Sequence, residues 1–444
     1  MERKAQLGLG SSVWRNPVQG AFDDLSDAIT GVTPKGPLPR VADSLATFCQ
    51  PYDEKSRLFV NMTLFGRIGR YLEPQLLRDL ARKTVVLTGA RQVGKTTLAR
   101  QLMERFGRAQ YLNWDVPADR AVLLRQSWNP GATLLVLDEI HKMPKWKSWL
   151  KGVIDAKAPA QALLVTGSAR MDTFRQAGES LAGRYRHLHL APISVREWCD
   201  HTDSSPQEAL LHLIERGGFP EPCLAERADD AQRWRRQYAT DLIREDVLEF
   251  SRLQEINTMR VFFELLRERV GSPLSLASLA RDLAVSPTTL RRYLDILQAL
   301  YVVIVVQPWH RNIARALLQA PKVYFTDNGL VKGDDGVRFE NAVAVMLAKQ
   351  AHFIRDTRGR EAGLHYIRTK DGAEVDFCLS VDGALTQLVE CKLADSSPHR
   401  ALLRFAAQFP EAVATQIVRD ARQEEVRGPI AVVPAADWLA RLEA

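Results

Sequence analysis

Short apolar runs alternate with amphipathic stretches over the first half of this chain of 444 residues. Residues 85–87, 132–137 and 162–165 are almost continuously hydrophobic and are followed by polar or glycine residues. Such runs are typical of strands that are buried on both faces of a parallel sheet. From Arg70 to about Ile193, the alternation of these strands with amphipathic helices predicts an α/β doubly wound core.

Two helices and a strand are predicted farther along the chain. One apolar helix face is formed by Leu276, Leu279, Leu283 and Val285. Ser286 and Pro287 then supply an N-cap and a first-turn proline for a second helix that runs through Leu300. A β-branched strand, residues 301–306, follows at once. Two helices across a tight turn and then a strand indicate a winged helix-turn-helix.

The C-terminal region shows a helix followed by three strands. Residues 338–347 have helical spacing, and residues 365–368 and 373–379 flank the turn 370–372, which is a hairpin signal. Residues 388–392 form a further strand. Side chains two residues apart on a strand point the same way, so the two charged residues of this last strand lie on one face.

A glycine-rich turn joins the first strand to a helix. It consists of Gly89, Ala90, Arg91, Gln92, Val93, Gly94, Lys95, Thr96 and Thr97. Backbone N–H groups and the dipole at a helix N-terminus favour anions, so this spacing predicts a cradle for the β- and γ-phosphates of ATP. Lys95 would bring its charge to those phosphates, and Thr96 would hold Mg²⁺. The alternative is a chance glycine-rich turn before a helix.

Two adjacent acids follow the strand 132–137. Asp138 would reach the Mg²⁺ shell at the carboxyl end of the strand, and Glu139 would polarise the attacking water. The alternative is a pair of solvated turn residues. The next strand ends at Thr166 and Ser168, whose hydroxyls would sense the γ-phosphate or orient water, although serine also commonly ends strands.

Arg184 lies in a glycine-containing turn before another strand and is a candidate arginine finger. Its guanidinium would reach the γ-phosphate of a neighbouring subunit. A solvated arginine beside a glycine turn is the alternative. After Asp200 the sequence is mostly helical, which is consistent with a lid packed on the nucleotide.

Composition narrows the class of protein. The hydrophobic fraction of 46% fills several cores, and the length suggests about three domains. No apolar stretch is long enough to span a bilayer and the first residues lack an apolar signal core, so we expect a cytoplasmic protein without membrane contact. The five cysteines include no close pair, which indicates neither a disulfide framework nor a structural zinc site.

The first 61 residues differ from the rest of the chain. They are rich in Gly, Pro, Ser and Asp and show no helical or strand period, which predicts a mobile N-terminal arm. Met62 leads directly into the helical pattern before the first strand. We therefore expect that natural translation starts at Met62.

Charge favours nucleic acid as a partner without requiring it. The net charge is +7, and residues 256–330 contain nine Lys or Arg against five Asp or Glu. Four side chains near the start of the second predicted helix stand where a major-groove reader presents them: Thr288, Thr289, Arg291 and Arg292. Winged helices also serve as protein-protein modules, so both partners stay open.

A second chemical site is expected in the C-terminal region. Glu340 on a helix, Asp376 and the pair Glu390 and Lys392 resemble the core of PD-(D/E)XK nucleases, although Val375 stands where that pattern has proline. The resemblance implies that the carboxylates hold Mg²⁺ or Mn²⁺ at a scissile phosphate and that the lysine activates water or stabilises the transition state. The alternative is a structural or binding module that retains the acids.

From about Met62 onward the chain resembles prokaryotic AAA-type (AAA+ superfamily) ATPases that carry a C-terminal domain of unknown function. The resemblance rests on the phosphate cradle, the Asp138 strand and residues 181–184, 217–220 and 322–330. It implies an α/β P-loop ATPase core, a helical lid, a winged helix-turn-helix and an α/β restriction-endonuclease-like domain. The corresponding boundaries are 62–200, 201–255, 256–330 and 331–444.

Three classes of function remain open at this point. The first is an ATP-driven machine acting on DNA, branched DNA included, whose C-terminal domain grips or cuts it. The second is a regulatory switch that only binds partners, and the third is a protein-remodelling ATPase. The family resemblance implies self-association into a ring such as a hexamer.

Overall fold

The computed structural model describes residues 68–167, 181, 183–242, 256–310 and 320–444. The arm predicted over residues 1–61, the start expected at Met62, and Ser168 lie outside these residues. Residues 64–444 belong to one compact unit, and its described part builds two β-sheets.

The first sheet has five strands, which are β1 (Thr84–Thr88), β2 (Ala109–Asn113), β3 (Leu134–Asp138), β4 (Ala162–Thr166) and β5 (Tyr185–His189). Their spatial order is β2-β3-β4-β1-β5, and all neighbouring pairs are parallel. Every residue of β1, β3 and β4 is buried, which confirms the prediction from the three apolar runs.

Helices cover both faces of this sheet. They are α1 (Glu73–Leu80), α2 (Lys95–Met103), α3 (Pro117–Arg125) and α4 (Trp146–Ala156), with a 3₁₀ turn at Ile140–Lys142. Successive residues of one strand enter different apolar clusters: Leu134 and Val136 pack with one, and Leu135 and Leu137 with the other. This alternation follows from the two-residue period of a strand and confirms an α/β layered core.

The next segment is helical, as the sequence predicts. It consists of α5 (Val195–Thr202), α6 (Pro206–Arg216), α7 (Pro220–Leu224) and α8 (Ala228–Asp241). Ser194 with Glu197 and Ser205 with Glu208 form capping boxes that satisfy the first N–H groups of α5 and α6.

Three helices and a strand pair come next: α9 (Ile256–Arg267), α10 (Leu276–Asp282), α11 (Pro287–Ala299), β6 (Val303–Pro308) and β7 (Lys322–Phe325). The Ser286 hydroxyl accepts from the N–H of Thr289 at 3.0 Å, so the predicted cap of the second helix is present. The strand predicted over 301–306 begins two residues later. Tyr301 has φ 57°, a left-handed conformation that a strand does not contain.

The C-terminal elements are α12 (Asp335–Arg358), β8 (Ala362–Arg368), β9 (Glu374–Val381), β10 (Ala384–Lys392), α13 (Arg400–Gln408), β11 (Val413–Val418), β12 (Glu425–Arg427), β13 (Ile430–Pro434) and α14 (Ala435–Ala440). Strands β8 and β9 pair antiparallel on either side of the predicted hairpin turn. Strand β9 is antiparallel to β10, whereas β10 and β11 are parallel.

The second sheet joins two segments that the sequence assigns to different domains. Its order is β12-β13-β11-β10-β9-β8-β6-β7, with β6 parallel to β8 through Gln307 opposite His365. The boundary predicted between residues 330 and 331 therefore falls within one sheet. An apolar cluster that includes both Leu72 and Leu439 also runs through the whole described unit.

Even α12, with 24 residues, is not a membrane span. No helix among the described residues has the length and apolar character that crossing a bilayer requires.

A buried ion network joins the residues just before α1 and helix α5 to α12. The Glu197 side chain is 4% exposed, and its two oxygens lie 2.9 Å from Arg70 Nε and 2.5 Å from Lys349 Nζ. The N–H groups of Tyr71 and Ser194 each donate to the same carboxylate at 2.9 Å. Burial acts to raise the pKa of Glu197, but the Arg70 and Lys349 charges and these hydrogen bonds lower it to about 2.

Glu197→Gln should destabilise the protein by about 3–5 kcal/mol, because it leaves Arg70 and Lys349 buried with no counter-ion. Thermal and urea unfolding of the full chain measure this loss. Since the pKa of Glu197 in the folded state lies below the ordinary value of about 4.3, the difference from the wild type should be full between about pH 5 and pH 7 and shrink as the pH falls further. It should also shrink above about pH 8, because burial lowers the pKa of Lys349 to about 8 and this partner then loses its charge.

Asp155→Asn is the control, because it removes an ion pair with Arg184 that lies at the surface. It should leave the unfolding midpoint unchanged. A Glu197→Gln protein as stable as the wild type would show that the network does not hold the unit together.

Candidate active site

The glycine-rich turn follows β1 and lies in close contact with the end of the neighbouring strand β5. Gly89 has φ 147°, and a Cβ on it would lie 2.4 Å from the carbonyl oxygen of Leu190, so only glycine fits. Gly94 has φ 100° and caps α2, whose first residue is Lys95. The Lys95 side chain is buried, and its Nζ donates to the carbonyl oxygens of Gly89 at 3.0 Å and Ala90 at 2.7 Å.

The remaining predicted cradle residues divide by exposure. The side chains of Ala90 and Val93 are buried, Thr96 is half-buried, and Arg91, Gln92 and Thr97 are exposed. Arg70 Nη1 donates to the carbonyl oxygen of Val93 at 3.1 Å, so the turn is fixed from the side of α1 as well as by its own lysine.

Asp138 ends β3 and is surrounded by hydroxyl groups. Its side chain is 2% exposed. Thr96 Oγ1 donates to Oδ2 at 2.9 Å, the Tyr111 hydroxyl donates to the same oxygen at 2.5 Å, and Thr166 Oγ1 donates to Oδ1. The structure thus brings together Thr96 and Asp138, the two residues that the sequence assigns to Mg²⁺.

Tyr111 is a residue of this site that sequence reasoning missed. Burial and, after it, the charge of Asp138 raise the pKa of Tyr111, so its phenol remains a proton donor at neutral pH. No local sequence signal marks it, because its role depends on the pairing of β2 with β3, in which Asn113 lies opposite Asp138.

Glu139 directly follows Asp138 in a left-handed conformation with φ 57°. Its Oε2 lies 3.4 Å from Lys142 Nζ and 3.6 Å from His141 Nε2. Burial and the neighbouring charge of Asp138 raise the pKa of Glu139, while Lys142 and Lys95 oppose the shift. A carboxylate with a raised pKa is a better proton acceptor than an ordinary one.

The chemistry of this set fits a nucleoside triphosphate with Mg²⁺. A hydroxyl and a carboxylate, from Thr96 and Asp138, are oxygen ligands of the kind that Mg²⁺ takes. Gly89 and Gly94 keep the turn free of side chains, and Lys95 supplies a positive charge at its centre.

Arg184 lies apart from this cradle on the surface of the same sheet. Its Nε is 2.9 Å from Asp155 Oδ1 of the same chain, and both side chains are at least one-third exposed. The described residues therefore show this arginine in a surface ion pair, which leaves its guanidinium accessible from outside.

The C-terminal carboxylates lie near one another, and each accepts a hydrogen bond from a different donor. Glu340 Oε1 accepts from the Tyr324 hydroxyl at 2.6 Å, and Asp376 Oδ2 accepts from the N–H of Cys391 at 2.9 Å. Glu390 Oε1 is 2.7 Å from Lys392 Nζ, so the predicted pair does share a face. Burial and the charge of Asp376 raise the pKa of Glu340 to about 7 and that of Glu390 to about 8.

A buried lysine and a histidine that the sequence did not reveal lie among these acids. Lys322 Nζ is buried, 2.6 Å from Glu374 Oε1 and 3.5 Å from Glu340 Oε1, and His399 Nδ1 is 3.0 Å from Glu390 Oε1. No group of three His, Cys, Asp or Glu side chains in the described ranges is arranged to hold a metal ion. The structure therefore shows no second metal site here, since the carboxylates point to separate donors and Lys322 supplies positive charge between them.

Three family descriptions match consecutive parts of the chain. Residues 81–199 match an AAA domain, residues 207–334 a domain of unknown function (DUF8612) and residues 335–438 a domain of unknown function (DUF4143). The uncharacterized protein Rv2008c of Mycobacterium tuberculosis is 32% identical over 320 residues, which cover 70% of each chain, and Mb2031c of Mycobacterium bovis gives the same values. The chain belongs to the same family as these mycobacterial proteins, and its AAA domain makes it an AAA-type P-loop ATPase.

Solved structures resemble it only remotely. The Walker-type ATPase PABY2304 of Pyrococcus abyssi is 14% identical, with a TM-score of 0.39 over 60% of this chain and 95% of its own. RuvB of Thermotoga maritima is 17% identical, with a TM-score of 0.28 over 53% of this chain and 89% of its own. Likenesses at this level have no bearing on function.

Proposed function

We propose that this chain hydrolyses ATP at the carboxyl end of the first sheet. The observation that carries the proposal is the partly buried hydrogen bond between Thr96 and Asp138, together with the buried Lys95 ammonium on the glycine cradle. A metal-binding hydroxyl, a metal-binding carboxylate and a phosphate-binding lysine meet within one turn of α2 and the end of β3.

The roles follow from this geometry. Lys95 would exchange its contacts with the Gly89 and Ala90 carbonyl oxygens for the β- and γ-phosphates, and Thr96 and Asp138 would hold Mg²⁺. When bound, this ion would neutralise the charge that develops on the phosphate oxygens. Glu139 orients the attacking water and accepts its proton, a role for which its raised pKa is suited.

Lys95→Ala should abolish ATP binding, because it removes the charge at the centre of the cradle. Glu139→Gln should still bind ATP and hydrolyse it about 10²–10³-fold more slowly, since only transition-state positioning of water is lost. Phosphate release and equilibrium binding of ATP measure the two effects.

The control for the second variant is Glu104→Gln, which makes the same chemical change at an exposed position next to α2. It should retain the wild-type rate. Equal rates for Glu139→Gln and the wild type would exclude Glu139 from catalysis.

We further propose that the protein acts on DNA through residues 256–330 as a winged helix. Three helices followed by the antiparallel pair β6 and β7 support this reading. At the start of α11, Thr288 and Arg292 are exposed and Arg291 is half-buried. Helix α11 would enter the major groove with this end.

Arg291→Ala/Arg292→Ala should weaken DNA binding and flatten its salt dependence, because each lost phosphate contact removes about one unit from the slope of log K against log salt. Fluorescence anisotropy with single-stranded, duplex and branched DNA measures this weakening.

The ATPase rate distinguishes the alternative functions. Stimulation by polypeptide rather than by DNA would favour protein remodelling. Slow turnover that no partner changes would favour a regulatory switch.

In this proposal the C-terminal domain grips DNA, and metal-dependent cleavage is the alternative. The order of α12, β8 to β10, α13 and β11 and the shared face of Glu390 and Lys392 favour a nuclease-like fold. Repeating the DNA-binding reactions in the presence of Mg²⁺ or Mn²⁺ distinguishes DNA binding from DNA cleavage. Cleavage that Asp376→Ala and Lys392→Ala abolish would identify a nuclease, and the absence of cleavage would leave a binding module.

Ring assembly is proposed from the surface position of Arg184. If this guanidinium completes the site of a neighbouring subunit, specific activity rises with protein concentration. Mixing inactive Arg184→Ala and Lys95→Ala subunits should then restore part of the turnover, measured by phosphate release. Concentration-independent hydrolysis by a monomer would contradict a shared site.

A further inference from the structure

The Tyr111 hydroxyl meets Asp138 on the oxygen that Thr96 also contacts. Both hydroxyls donate to Oδ2, at 2.5 Å from Tyr111 and 2.9 Å from Thr96, while Thr166 occupies Oδ1. Tyr111 comes from β2, the edge strand of the sheet, and so approaches Asp138 from the side opposite β4. The carboxylate is thus held from both neighbouring strands and from α2.

The phenol itself is held in place. Its ring centroid lies 4.9 Å from the guanidinium carbon of Arg100 on α2, a cation-π distance. Asn113 Nδ2 donates to the phenol oxygen at 3.4 Å. The hydroxyl is therefore directed at Asp138 by contacts from two elements, in a site that is 2% exposed at the carboxylate.

The two donors to Oδ2 differ in what nucleotide binding would do to them. The Thr96 oxygen would also be a ligand of Mg²⁺, so the position of this donor would depend on the bound ion. Tyr111 takes no part in the cradle, so its hydrogen bond can persist and keep Asp138 in one orientation.

We propose that Tyr111 is a positioning residue that holds Asp138 toward the nucleotide-bound magnesium ion. This inference rests on the proposed function, because it assigns Tyr111 a part in the same site. It predicts that loss of the phenol hydroxyl reduces the gain in ATP affinity that Mg²⁺ provides. The affinity for metal-free ATP, which Lys95 and the cradle provide, should not change.

Tyr111→Phe tests this, because phenylalanine keeps the ring beside Arg100 and removes only the hydroxyl. Isothermal titration of the full chain with ATP is carried out in EDTA and again in graded Mg²⁺. The variant should bind metal-free ATP within about twofold of the wild type, and the gain in affinity from Mg²⁺ should fall by about tenfold, as expected for a lost hydrogen bond to a charged group.

Two matched variants complete the experiment. Tyr185→Phe removes a phenol hydroxyl from β5, the edge strand on the other side of the sheet, and should change neither titration. In an Asp138→Asn background, Tyr111→Phe should have no further effect on the Mg²⁺-dependent gain, because the two residues act as one unit.

The outcomes separate this inference from the proposed function. If the wild type binds no ATP, the proposed function fails and Tyr111 has no site to support. If the wild type binds Mg-ATP and Tyr111→Phe keeps the full Mg²⁺-dependent gain, only the inference is overturned. An equal loss in EDTA and in Mg²⁺ also overturns it, since Tyr111 would then support the cradle rather than the metal ligand.

Discussion

The arrangement of this unit depends on a single buried carboxylate. Glu197 neutralises both Arg70 and Lys349. Arg70 fixes the glycine-rich turn through the Val93 carbonyl oxygen, and Lys349 belongs to α12, the longest helix of the C-terminal region. Glu197 is the one anion between two buried cations, so its removal leaves both of them without a counter-ion. The nucleotide cradle and α12 are therefore not independent parts. The same helix carries Glu340 into the C-terminal carboxylate cluster, so one rigid element touches both chemical regions of the chain.

The two regions use buried charge in different ways. Around Asp138 the partners are neutral hydroxyls, which fix the direction of the carboxylate and leave its charge available to a cation. Around Glu340 the partners are the Tyr324 hydroxyl and a buried ammonium, Lys322, which already supplies positive charge. The first arrangement is prepared for an external ion and the second is largely compensated from within, which agrees with the lack of a three-residue metal group among the described residues.

Local signals in the sequence were sufficient to predict the elements that surround the proposed nucleotide site. The hydrophobic runs predict β1, β3 and β4, and the glycine spacing predicts the cradle. Because the strands are parallel, Thr96 and Asp138 come to the same, carboxyl edge of the sheet. Tyr111, Lys322 and Glu197 could not be found in this way, because each acquires its role from a residue distant in the chain or from an edge strand with no pattern of its own. The continuity of the second sheet was missed for the same reason. Pairing of β6 with β8 depends on packing, and periodicity contains no information about it.

The position of Lys349 also bears on how the chain is made. It follows Glu197 by 152 residues, whereas Arg70 precedes Glu197 by 127. At a synthesis rate of about 5–20 residues per second, the carboxylate waits roughly 8–30 s on the ribosome for its second partner. During that time the strands of the first sheet are complete in sequence, yet the surface that receives α12 is uncovered. Exposed apolar surface of this kind favours aggregation in general, so the stage before α12 is made is the vulnerable one, even though the residues of the proposed nucleotide site precede it in the chain.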